Sequence, residues 1–178
     1  MESEELLFNR AKKLHISGKI KDAQLVYLQL LKNNSKNSNL LYLLGTTYVQ
    51  KKNYKKAKEF LNRSIKINNN FPESYNSRGI IFAEEGDYLR AIEDYDKAIS
   101  LKQNYFDANL NKAVALKNLS KFNTAVKHLE VCMKLSPNDD KIYNNLGNLF
   151  HSLKNYNQAK KYYTEAIKLN QNSAEAYN

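Results

Sequence analysis

Three histidines, one cysteine and two close acid pairs are the residues of this chain that could do metal or acid–base chemistry. The histidines are His15, His128 and His151. His15 and His151 share a register in a 34-residue period but stand four periods apart. Stacked units cannot bring both within about 2 Å of one metal ion. Glu84/Glu85 and Asp94/Asp96 are adjacent or two apart, so on helices they point different ways and form no catalytic pair. Cys132 has no second cysteine to pair with and occupies a small-residue packing register, which makes it a buried, inert thiol. No nucleophile–base arrangement is visible, and no metal or cofactor is expected. The chain reads as non-enzymatic. The run Lys51, Lys52, Lys55, Lys56 and Lys58 would attract phosphates or an acidic protein. No spare aromatics interleave with it for base stacking, so nucleic acid is disfavoured as a partner.

The elements that must position these residues are set by a repeat. Ala23, Ala57, Ala91, Ala125 and Ala159 stand 34 residues apart. A period of this size means units that can bury their apolar faces only against their neighbours. With the alanine at position 20, the repeats span 4–37, 38–71, 72–105, 106–139 and 140–173, and 174–178 opens a sixth. Position 8 is small (Ala11, Gly45, Gly79, Ala113, Gly147). Positions 11, 17 and 24 are large, as in Tyr48, Tyr54 and Leu61. Apolar or small residues at 4, 8 and 11, and again at 17, 20, 24, 27 and 28, have helical spacing. Gly18, Gly86 and small polar residues interrupt it near position 15, and Asn-rich or Pro-bearing stretches near position 32. Each unit is therefore helix, turn, helix, turn. Pro72 opens a helix and Pro137 closes a unit.

This succession of Gly/Ala, aromatic, Ala, aromatic and small residues, with Pro137 at the end of the fourth unit, resembles the tetratricopeptide repeat family. The resemblance covers essentially the whole chain. It implies an all-α, right-handed α-solenoid forming one array over 1–178. It also implies a concave groove lined by the first helix of each unit, at positions 2, 5, 6, 9, 12 and 13. The peptide-binding candidates are then Asn9, Lys12, Tyr42, Thr46, Asn76, Ser77, Asn111, Lys141, Asn145 and Asn148. The position-6 asparagines Asn9, Asn111 and Asn145 are similar to the asparagine ladder in the repeat region of O-linked N-acetylglucosamine transferases. Leu43 and Ser77 interrupt that ladder. An amide both donates and accepts, so it can pair with a peptide backbone whatever its sequence. The dicarboxylate clamp of chaperone-binding members is matched only at Asn111 and Lys141, with Asn145 in place of arginine, and chaperone-tail binding is rejected.

The resemblance thus points to a scaffold that holds an extended peptide or partner helix. The alternatives are the substrate-recruiting segment of a larger glycosyltransferase or sulfotransferase and, less favoured, an RNA-binding repeat. MESEELL has no secretory pattern, and no apolar run approaches the roughly 20 residues of a membrane span. With its single cysteine, the chain is expected in the cytoplasm and off the membrane. The net charge of +10 is uneven, the second repeat being the basic pole. Residues 174–178 read as a helix cut short. That predicts open apolar surface at Tyr162, Tyr163, Ile167 and Leu169, and self-association through that end.

Overall fold

The computed structural model describes residues 3–170, and among them it is all-α, as the repeat pattern requires. Ten helices are found among the described residues, two to each repeat. The first six are α1 (Glu4–Ile16) and α2 (Ile20–Asn33), which pack together, α3 (Ser38–Gln50) and α4 (Tyr54–Ile67), which do the same, and α5 (Pro72–Glu84) and α6 (Tyr88–Leu101). Then come α7 (Phe106–Asn118) with α8 (Phe122–Leu135), and α9 (Asp140–Ser152) with α10 (Tyr156–Leu169). The proposed start of a sixth repeat, 174–178, lies outside the described residues. No described helix is long and apolar enough to cross a membrane.

Helix starts follow from local chemistry. Ser3, Asn37 and Asp139 cap first helices through their side chains, and Asn53, Asp87 and Asn155 cap second helices. Each side-chain oxygen accepts from a backbone N–H that the helix leaves without a partner. The turn between the two helices of every repeat passes through the left-handed region at position 15. There φ is +77° at Gly18, +54° at Lys52, +80° at Gly86, +57° at Ser120 and +57° at Lys154. Only two of these five residues are glycine.

The period-34 alanines are buried, none more than 2 % exposed. The close approach expected at position 8 is real. A Cβ at Gly45 would lie 2.7 Å from Leu61 Cγ, and one at Gly147 would lie 2.5 Å from the Tyr163 ring. A side chain at either glycine would force Leu61 or Tyr163, or the helix that carries it, to shift.

The chain forms two compact units, one up to Ile81 and one from Phe82. In the first, Ala11, Ala23, Tyr27, Leu30, Leu41, Leu44 and Phe60 form one core cluster, and Ala57, Leu61 and Ile81 a smaller one. In the second, Ala113, Leu116, Ala125, Leu129, Cys132, Ile142, Leu146 and Leu149 form the core. Complete burial of each large side chain supplies about 1.5–3 kcal/mol. On α10, Tyr162, Tyr163, Ile167 and Leu169 are half-buried, Tyr162 stacking on Phe150 at 5.3 Å.

Candidate functional site

The residues with reactive side chains serve the scaffold. Cys132 is 0 % exposed, and its Sγ donates to the Phe106 carbonyl at 3.6 Å. Burial pushes its thiol up to about 12, and Asp139 and Asp107 add to the effect. Such a thiol is protonated and unreactive at neutral pH. His128 Nδ1 lies 2.8 Å from Asn109 Oδ1, while Asn109 Nδ2 donates to the Tyr105 carbonyl at 3.0 Å. Asn109 therefore accepts, and His128 carries its proton on Nδ1. His15 lies edge-on to Tyr27 with ring centroids 6.0 Å apart, and His151 edge-on to Tyr156 at 5.5 Å. No group of His, Cys, Asp or Glu among the described residues could hold a metal ion. The lysine run is partly engaged as well. Lys51 Nζ donates to Gln24 Oε1 at 3.3 Å, and Lys56 Nζ lies 5.5 Å above the Tyr48 ring.

Four of the ten groove candidates come together in the second unit. Asn111 on α7 and Lys141, Asn145 and Asn148 on α9 line one open cavity of about 310 Å³ with Leu110, Val114 and Asn144. The spacing of three or four residues along α9 puts Lys141, Asn145 and Asn148 on one face. Each amide has a defined polarity. Asn145 Nδ2 donates to the Lys141 carbonyl one turn earlier at 2.7 Å, which leaves Asn145 Oδ1 as the acceptor of that amide. Asn148 Oδ1 accepts from the Tyr163 hydroxyl at 2.7 Å, which leaves the Asn148 amide hydrogens to donate. Lys141 adds a positive charge, and Leu110 and Val114 an apolar floor.

In the first unit the candidates are more dispersed. Asn9 and Lys12 are exposed on α1, with Lys12 Nζ 5.7 Å above the Phe8 ring. Tyr42 packs edge-on against Phe71 at 5.1 Å, and the Thr46 hydroxyl donates to the Leu43 carbonyl at 2.8 Å. Asn76 and Ser77 are only 6 % and 8 % exposed. Leu110, Val114 and Asn144 belong to the cavity although they were not among the candidates. Their registers, positions 5 and 9 of the first helix, could have found them. Tyr163 gave no such signal, because its register marks a core residue.

Models of the tetratricopeptide repeat match residues 38–71, 72–105, 106–139 and 140–173. The chain belongs to the tetratricopeptide repeat family. Proteins of this family are generally non-enzymatic scaffolds for protein partners. Among solved structures, the chain is similar to Cut9 in the APC/C hetero-tetramer Cut9–Hcn1. The TM-score is 0.92 at 19% identity, covering 98% of this chain and 35% of that one. It is also similar to YrrB, a tetratricopeptide repeat protein with an unusual peptide-binding site, with a TM-score of 0.74 at 19% identity over 98% and 90% of the two chains. MamA from Desulfovibrio magneticus gives 0.81 at 14% identity over 96% and 97%. Identities this low establish the shared fold alone. No curated protein matches the chain.

Proposed function

We propose that the chain binds an extended segment of a partner protein along the first-helix face, centred on α7 and α9. The observation that carries this is the cavity shared by Asn111, Lys141, Asn145 and Asn148. The acceptor oxygen of Asn145 and the donor nitrogen of Asn148 match the alternating N–H and C=O of an extended backbone. Leu110 and Val114 favour an apolar side chain between those bonds, and Lys141 an acidic one nearby. A peptide ligand is in keeping with the site ascribed to YrrB. Asn9, Lys12, Tyr42, Thr46, Asn76 and Ser77 are the corresponding candidates in the first unit.

The test is a peptide array probed with the full chain, followed by titration of the strongest binder. Asn111→Ala with Asn145→Ala removes two bonds of roughly 0.5–1.5 kcal/mol each, so affinity should fall about tenfold or more. The melting temperature should change little, because neither residue is buried. Alanine at Lys127 and Lys161 of the second helices should leave affinity intact. Equal loss from both pairs would defeat the proposal.

A further inference from the structure

The second helix of the first repeat differs from its four counterparts on its outer face. Leu25 stands where the other repeats have Glu59, Glu93, Lys127 and Lys161. Leu28, one turn on, stands where they have Asn62, Asp96, Glu130 and Thr164. All eight of those counterparts are exposed. The repeat fold therefore has no need of an apolar residue at either register. Yet Leu25 is 68 % exposed, and Leu28 is only half-buried. An i, i+3 pair of leucines on one helix face makes an apolar stripe.

The stripe opens into a groove. Leu25, Leu28 and Leu31 of α2, with Gln29, Lys32 and Ser35, face Arg63 of α4 around a volume of about 450 Å³. That volume lies within the range of about 300–1,000 Å³ typical of ligand clefts. Its charged rim is of one sign. Lys32 and Arg63 line it, and no carboxylate does. The Arg63 guanidinium is held 5.6 Å above the Phe60 ring. That packing leaves its planar fork able to pair with a carboxylate. The wider surroundings agree, since the chain up to Ile81 carries fifteen Lys and Arg against six Asp and Glu, and the rest thirteen against twelve. Charge of this kind opposes a second copy of the same surface and favours an acidic occupant.

We infer that this groove is a second docking site, one that takes the leucine face of an acidic amphipathic helix from another protein. Leu25, Leu28 and Leu31 receive the apolar anchor, and Lys32 and Arg63 pair with the flanking carboxylates. The site is separate from the cavity on α7 and α9 and does not rest on it.

Fluorescence anisotropy tests this on the full chain. The probe is a fluorescein-labelled helical peptide of about four turns, with leucines on one face and glutamates on the other. Saturable binding should weaken about tenfold with Leu25→Glu and about fivefold with Arg63→Glu. It should be unchanged by Asn111→Ala with Asn145→Ala. Circular dichroism melts should match the parent chain, because Leu25 and Arg63 are surface residues. Absence of saturable binding would overturn the proposal, as would equal binding by a peptide with alanines in place of its leucines. Tighter binding of a single-stranded RNA of the same charge would reassign the rim to phosphate. Dimerisation abolished by Leu25→Glu would reassign the stripe to another copy of the chain.

Discussion

The hydroxyl of Tyr163 donates to the Asn148 side-chain oxygen at 2.7 Å, across the hairpin of α9 and α10. The same ring sits so close to Gly147 that a Cβ there would lie 2.5 Å from two of its carbons. A glycine chosen for close packing thus brings a core tyrosine within reach of an asparagine on the candidate binding face. The orientation of a surface amide is set from inside the hairpin.

Tyr163→Phe should separate these roles. The ring still packs, so the cost is the hydrogen bond alone, about 0.5–1 kcal/mol in urea unfolding at this exposed pair. Asn148 becomes free to rotate, and affinity for an array-selected peptide should fall about two- to fivefold. Loss of more than about 3 kcal/mol would mean that the ring had shifted.

Ser64 occupies a small-residue register that is alanine at Ala98 and Ala166. Its hydroxyl lies 2.8 Å from the Ser38 carbonyl and 2.8 Å from the Ser74 hydroxyl, and both serine side chains are buried. Ser64→Ala should therefore destabilise by about 1–3 kcal/mol, because it strands buried polar groups. Adding Ser74→Ala should cost much less than Ser74→Ala alone. A double-mutant cycle showing simple additivity would contradict this coupling.

Lys52, Ser120 and Lys154 adopt the left-handed backbone that glycine adopts at Gly18 and Gly86. A residue with a Cβ is strained there by roughly 1–2 kcal/mol, part of which the greater flexibility of unfolded glycine offsets. Lys52→Gly and Lys154→Gly should each raise the melting temperature, by about 0.5–1 kcal/mol of stability. A lowered melting temperature in both would show that the lysine side chains contribute more than their backbones cost.

His15 and His128 are both held below the ordinary histidine range, chiefly by burial. A hydrogen bond with Gln50 opposes the shift at His15. At His128, Lys112 adds to the shift and Asp96 opposes it. The unfolded chain takes up protons at these groups near pH 6.5, and the folded chain only at lower pH. Their contribution to stability is therefore complete above about pH 6.5. It declines as the pH falls from there toward the folded-state values. Urea midpoints should drop between about pH 7 and pH 5.5, and His15→Gln with His128→Gln should flatten the decline. An unchanged decline in that variant would assign it to carboxylates.

The hairpins, their register and the family were legible in the residues because they rest on short-range chemistry. Ala57 opposes Gly45 within one 34-residue unit, and Asn53 caps its own helix. Periodicity, caps and small residues act within a few turns of chain and are repeated in each unit. The first-helix registers of Asn111, Lys141, Asn145 and Asn148 were likewise readable. Sequence could not decide which way the Asn148 amide points, since that depends on Tyr163 of the neighbouring helix. Nor could it distinguish Asn76, buried in its wall, from Asn9, exposed to solvent. Lys52 has no glycine signature, yet it takes the left-handed conformation found at the same register of the other four turns. Burial, and the bond from Tyr163 to Asn148, arise between different helices, so the tertiary packing alone decided them.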